Sequence, residues 1–294
     1  MCKSKCLFLT FGIFLNPYIS NFAVALNTLS KTMLKNSNYD KALHYSSLAK
    51  KHLELMKKTS LRIYHLIISN IGAIYFMANN YEKSIQVLEN FLSQNKDLGY
   101  LKILPNIHLT LNVAYYNVDK FEESIKNIEK AIFLYNYSGR NYDAKHCYLN
   151  YINALRYCKK FDEAFSVLKD YRSLYSDSKD LQPNYLIQEV ILHFNVREYD
   201  IAKKLMEQIK QTVLDPLNKN SYFFMKGHIC FLEEKYSQAL HLLPRCEKYF
   251  LKRNYTYDLA LVYNDLFQIT DKLLYKERAE LFRGQGGRKN ILVP

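Results

Sequence analysis

Apolar and polar positions alternate with a helical period along almost the whole chain. Across residues 67–92, IISNIGAIYFMANNYEKSIQVLENFL, the residues Ile68, Ile71, Gly72 and Tyr75 recur at i, i+3, i+4 and i+7. That spacing is one face of a 3.6-residue helix. Asn79-Asn80 then signals a turn. Tyr81, Ser84, Leu88 and Phe91 form the inward face of a second helix. The stretch predicts a helical hairpin whose axes come close where the small residues Gly72 and Ser84 sit.

The hairpin recurs. Its marker follows each turn: an aromatic, two further residues, a small residue, then an apolar one. Copies begin at Tyr39, Tyr81, Phe121, Phe161, Tyr199 and Tyr236, about 40 residues apart, with the small residue at Ala42, Ser84, Ser124, Ala164, Ala202 and Ala239. A weaker seventh copy, one residue longer, begins at Tyr275 and reaches Ala279. The first helices carry their own small or polar site at Gly72, Asn112 and Gly227. Pro105, Pro183 and Pro216 fall near helix starts, where proline is tolerated. The breaks between copies are short and polar, so residues 21–282 read as one continuous array. Residues 1–20 read as an N-terminal helix or truncated segment, with a secretory signal peptide as the competing reading of the apolar run 6–15. Residues 283–294, Gly-rich and basic, read as a flexible tail.

These markers resemble the tetratricopeptide repeat, including its small residues at the eighth and twentieth positions. The copies depart from its unit of about 34 residues, which implies longer helices. The resemblance implies an all-α fold: a right-handed superhelical solenoid of about seven TPR-like helical hairpins, with the first helix of each pair lining a concave surface. On that register the concave residues include Asn70, Asn106, Tyr116, Asn150, Asn153, Arg156, Gln188, His228 and Asn264. A carboxamide offers one carbonyl acceptor and one amide donor, which match a peptide bond. The row is therefore the expected peptide-binding site, and Arg156 the expected seat of a carboxylate.

The period, the long helices and the Asn-lined concavity are similar to the RRNPP family of bacterial peptide-pheromone receptors. That resemblance covers the repeat region. It implies a cytoplasmic sensor that binds a short signalling peptide in its groove and regulates transcription or a partner protein. The alternative is a non-enzymatic scaffold that docks a protein partner.

Charge and chemistry change this picture little. The net charge is +13, yet the lysines are scattered over polar faces, so direct nucleic-acid binding is not supported. The six cysteines form no CxxC pair and no zinc-ligand spacing, and no cofactor or metal is expected. The histidines are dispersed over the repeats without a Ser/His/Asp or Cys/His order, so no enzyme is expected. No apolar run is long enough to span a membrane. A homodimer through the C-terminal hairpin is expected, because Leu259, Leu261, Val262, Leu266, Leu273 and Leu274 have no following repeat to cover them.

Overall fold

The computed structural model describes residues 21–58, 62–94, 103–175, 182–209, 214–253 and 255–283. The readings made above for residues 1–20 and for 284–294 lie outside them. The described residues are helices joined by turns. They are α1 (21–35), α2 (Tyr39–Leu55), α3 (Arg62–Met77), α4 (Tyr81–Gln94), α5 (Leu104–Asn117), α6 (Phe121–Tyr137) and α7 (Asn141–Tyr157). Then come α8 (Phe161–Tyr175), α9 (Gln182–Asn195), α10 (Tyr199–Glu207), α11 (Pro216–Leu232), α12 (Tyr236–Arg253), α13 (Thr256–Thr270) and α14 (Leu273–Arg283). Each of the six marker aromatics is the first residue of a second helix, and Pro105, Pro183 and Pro216 fall in the first turns of α5, α9 and α11. The described residues form a succession of seven TPR-like hairpins.

One turn serves most of the hairpins. Ser37, Asn79, Asp119, Lys159, Arg197 and Glu234 each have φ between 55° and 63° and stand two residues before the marker aromatic. The next residue's N–H reaches back to close the first helix: Asn80 to the Tyr75 carbonyl at 2.9 Å, Lys160 to Leu155 at 3.0 Å, Lys235 to Cys230 at 2.8 Å. This is the left-handed helix stop that usually takes glycine. Asn38 and Asn80 then cap the second helix, their Oδ1 atoms accepting from the N–H of Lys41 and Lys83.

The two helices of a hairpin cross at positions twelve residues apart, and the crossings are closed in different ways. Ser84 Oγ donates to the Gly72 carbonyl at 2.8 Å, and a Cβ on Gly72 would overlap Leu88. Gly227 is packed in the same way by Leu243. Asn112 instead donates to the Ser124 Oγ at 2.7 Å, and Ser30 Oγ donates to the Ala42 carbonyl and bonds Ser46 Oγ, both at 2.7 Å. A second regularity sits at the turn. The aromatic four residues after the crossing packs on the marker aromatic: Phe76 on Tyr81, Tyr116 on Phe121, Phe194 on Tyr199, Phe231 on Tyr236, with ring centres 5.2 to 6.4 Å apart. Arg156 takes this place in the fourth hairpin, with its guanidinium 4.7 Å from the Tyr157 ring centre.

The helices gather into two compact units, Met1–Cys147 and Tyr148–Pro294, whose boundary falls within α7. The first unit has a core around Leu53, Ile67, Ile71, Leu88, Ile107 and Leu111. The second has one around Ile187, Phe194, Phe224, Leu243, Phe250, Leu259 and Val262. The expectation that the last hairpin leaves its apolar residues uncovered needs correcting. Leu259, Val262 and Leu266 are buried, because α12 and α14 pack on α13. Within this hairpin the exposed leucines are on α14: Leu273, Leu274 and Leu281. Among the described residues, no helix is long and apolar enough to cross a membrane.

Candidate functional site

Three of the expected site residues lie in the first unit. There, side chains bond to their own fold. Asn70 Nδ2 on α3 donates to Asn27 Oδ1 on α1 at 2.7 Å. Tyr135 Oη on α6 donates to Asn106 Oδ1 on α5 at 2.6 Å. Tyr116 packs edge-on against Phe121. Each of these contacts ties one helix to another, so each has a structural purpose.

The other six lie in the second unit. Asn150, Asn153 and Arg156 share the second half of α7, where Arg156 Nη2 donates to Asn153 Oδ1 at 3.4 Å. Arg156 is buried although it carries a charge. Its aliphatic stem and planar head substitute for the aromatic ring that four other hairpins place there. Gln188 on α9 is 8% exposed, and its Oε1 has no hydrogen-bond partner among the described residues. A buried carbonyl left in that state costs about 1–3 kcal/mol relative to a satisfied one.

His228 and Asn264 are brought together by a residue between them. His228 Nδ1 on α11 hydrogen-bonds Asp265 Oδ2 on α13 at 2.6 Å, and the Asp265 side chain is 1% exposed. Asn264 also hydrogen-bonds Asp265, and its own Oδ1 accepts from Arg283 at 3.0 Å. Burial pushes the Asp265 carboxyl above its ordinary pKa, and the hydrogen bonds from His228 and Asn264 pull it back down. Four rings stand around the His228 imidazole: Phe194, Tyr199, Phe224 and Phe231, at 5.7 to 6.4 Å. Burial likewise raises the Tyr199 hydroxyl pKa. Helices α9, α10, α11 and α13 thus meet at one polar pair enclosed in aromatic rings.

Sequence reasoning selected His228 and Asn264 and passed over Asp265 and Tyr199. The signal for Asp265 was present. It falls beside Val262 and Leu266 in the apolar stripe of α13, where a carboxylate needs a partner. Nothing in one sequence says which helix supplies that partner. Three further histidines hydrogen-bond side chains: His108 Nδ1 donates to Asn127 Oδ1, His193 Nδ1 donates to Glu198 Oε2, and His241 Nε2 accepts from Arg245 Nη2. Burial lowers the pKa of His108. Among the described residues, no group of three His, Cys, Asp or Glu side chains could hold a metal ion.

No protein-family model and no curated protein matches the chain. Solved structures do. Aspartyl phosphate phosphatase F of Bacillus subtilis superposes with a TM-score of 0.62 at 14% identity, over 92% of this chain and 72% of that one. A Rap protein complexed with competence and sporulation factor gives 0.52 at 13% identity, over 88% and 72%. The nearly identical TPR-like repeats of a Podospora anserina kinesin light chain give 0.56 at 10% identity, over 63% and 91%. These neighbours are TPR-like helical-repeat proteins, and the fold of this chain is theirs.

Proposed function

We propose that the second unit is a non-enzymatic binding module for an extended peptide segment, which lies against the first-helix faces of α7, α9, α11 and α13. One observation carries the reading: Gln188 keeps a buried carbonyl oxygen without a partner. A peptide N–H would satisfy it once a neighbouring side chain moves aside, because the oxygen is covered in the free chain. Asn150, Asn153 and Arg156 offer further donors and acceptors on α7, and His228 and Asn264 on α11 and α13. The likeness to a Rap protein complexed with competence and sporulation factor supports the finer reading. In that reading the chain is a cytoplasmic sensor of the RRNPP type. It takes a short signalling peptide and regulates transcription or a partner protein.

The test is a panel of short synthetic peptides read by thermal melting and calorimetric titration. A peptide at one hundred times its dissociation constant adds about 2.7 kcal/mol to the stability of the chain. Gln188→Leu then weakens that peptide by roughly tenfold or more, the cost of a lost buried hydrogen bond. The same substitution leaves the free protein as stable as before or slightly more so, because it removes an unsatisfied buried group. If no peptide shifts the melt and a folded protein is held instead, the module is a docking scaffold.

A further inference from the structure

We infer that a cavity between α4, α5 and α6 is a binding site for a small zwitterion of amino-acid size, whose ammonium and carboxylate groups meet opposite charges on its walls. The cavity measures about 530 Å³, within the range of ~300–1,000 Å³ that small-molecule sites occupy. It lies wholly in the first unit and does not involve Gln188, so it stands apart from peptide binding. A break in the repeat marks it. Three other hairpins carry apolar core residues four positions before the crossing on the first helix and three after it on the second. These are Leu26 with Tyr45, Ile68 with Val87, and Phe223 with Leu242. The α5–α6 hairpin has His108 and Asn127 at those positions, and both are buried and line the cavity. Hydrocarbon meets the packing need there elsewhere in the array, which leaves chemistry as the use of the polar pair.

The hydrogen bonds fix what the walls offer. Asn127 Nδ2 donates to the Glu123 carbonyl at 2.9 Å, so its Oδ1 accepts from His108 Nδ1 at 2.8 Å. Burial lowers the His108 pKa, so the ring is neutral and Nε2 keeps a lone pair. Tyr115 Oη on α5 donates to Glu89 Oε1 on α4 at 3.1 Å. Burial and the Glu89 charge push this hydroxyl up to about 12, so it stays protonated and its one hydrogen is spent on that bond. The Glu123 carboxylate acts on the same hydroxyl. His108, Tyr115, Glu89 and Glu123 therefore leave acceptors for a ligand, two of them charged. Lys126 and Lys130 line the cavity from α6 and offer only donors. The charges of Lys130 and Glu89 both reach His108 and act on it in opposite senses, so the imidazole stands between a cation and an anion. Among the described residues, these lysines and glutamates close no ion pair with one another. An amine alone leaves the lysines unmet, and a carboxylate alone leaves the acceptors unmet. A molecule carrying both groups answers both, and Leu92 and Leu104 give its side chain an apolar wall. Binding is weak, because Glu123, Lys126 and Lys130 are exposed to water.

Titration calorimetry and thermal melting of the full chain against the standard free amino acids, at millimolar concentration, test this. At least one amino acid with an apolar side chain binds saturably and raises the melting temperature. Its methyl ester keeps only the ammonium group, and its N-acetyl derivative keeps only the carboxylate. Each binds roughly tenfold more weakly or worse. Glu89→Gln keeps an acceptor for Tyr115 and also weakens binding roughly tenfold or more. Lys126→Gln with Lys130→Gln weakens it several-fold, as loss of two exposed charges does. His108→Phe with Asn127→Leu installs the pair found in the α11–α12 hairpin. It abolishes binding and leaves the melt of the free protein where it was or higher, whereas a purely structural role for the pair would lower it. If that double variant fails to fold, Glu89→Gln and the lysine change decide the matter. The proposal is overturned if no amino acid binds, or if the methyl ester or the N-acetyl derivative binds as tightly as its parent. Binding that ignores both Glu89→Gln and the lysine change overturns it too, because the ligand then sits elsewhere.

Discussion

At Gly72 the space for a methyl group is already filled by Leu88. Alanine there gains up to about 1 kcal/mol of helix propensity. It also forces the α3–α4 crossing apart, at about 1–3 kcal/mol for overpacking. Gly72→Ala is expected to lower stability by about 1–2 kcal/mol, read from urea unfolding with an unchanged slope. Asp265 gives a prediction in pH. A carboxyl whose folded pKa stands above its unfolded value stabilises the fold fully below the unfolded value, and that contribution is lost as pH rises through the folded pKa. Burial puts Asp265 in this class. Asp265→Asn keeps an acceptor for His228 and should gain on the wild type as the pH climbs from about 4, the ordinary carboxylate range. Unfolding titrations across that range check it; parallel profiles for the two proteins would exclude burial as the dominant effect on Asp265. Single residues were unevenly legible in the sequence. Gly72 and Ser84 announced a close crossing by size alone. Asn70 and Asn106 read as groove residues, yet they bond Asn27 and Tyr135. Residue type reveals what an amide can bond to, and only the packed neighbour reveals what it does bond to.

Among the elements, the second helices were the most legible, because six of them begin on an aromatic that follows a turn. In four hairpins that aromatic meets the first helix's aromatic four residues past the crossing, so there the marker carries a contact as well as a boundary. The turns were less legible. Left-handed residues usually announce themselves as glycine or asparagine, and here Lys159, Arg197 and Glu234 hold φ values of 57°, 63° and 59°. Their sequence context gave no sign of it. The strain is relievable. Lys159→Gly, Arg197→Gly and Glu234→Gly should each raise stability by about 0.5–1 kcal/mol, since a Cβ in this conformation costs about 1–2 kcal/mol and glycine's larger unfolded-state entropy returns part of the gain. Thermal melts of the three single variants and their combination read the effect. Distant sites of this kind should add.

For the molecule as a whole, the periodic markers run without interruption through α7, so the sequence shows one array. The gathering of contacts into two compact units depends on how densely neighbouring helices pack, which a repeat marker does not encode. The net charge of +13 acts at this scale. Like charges spread over the surface repel, and salt screens them as the Debye length falls from about 30 Å at 0.01 M to about 8 Å at 0.15 M. The melting temperature should therefore rise with sodium chloride over that range, by about 2–4 °C for each kcal/mol of repulsion removed. A fall would mean that ion pairs such as Arg278 with Glu247 outweigh the repulsion. The crossings also bear on how such an array can be inherited. Leu88 and Leu243 fill the space beside glycines, Ser124 answers an asparagine, and Ser46 answers a serine. A first helix recombined with another hairpin's second helix would meet the wrong counterpart: Asn112 would be driven into the volume that Leu88 occupies. Copying a whole hairpin keeps both halves of its crossing together. The array can lengthen by duplication of hairpins, and exchange of single helices is closed to it.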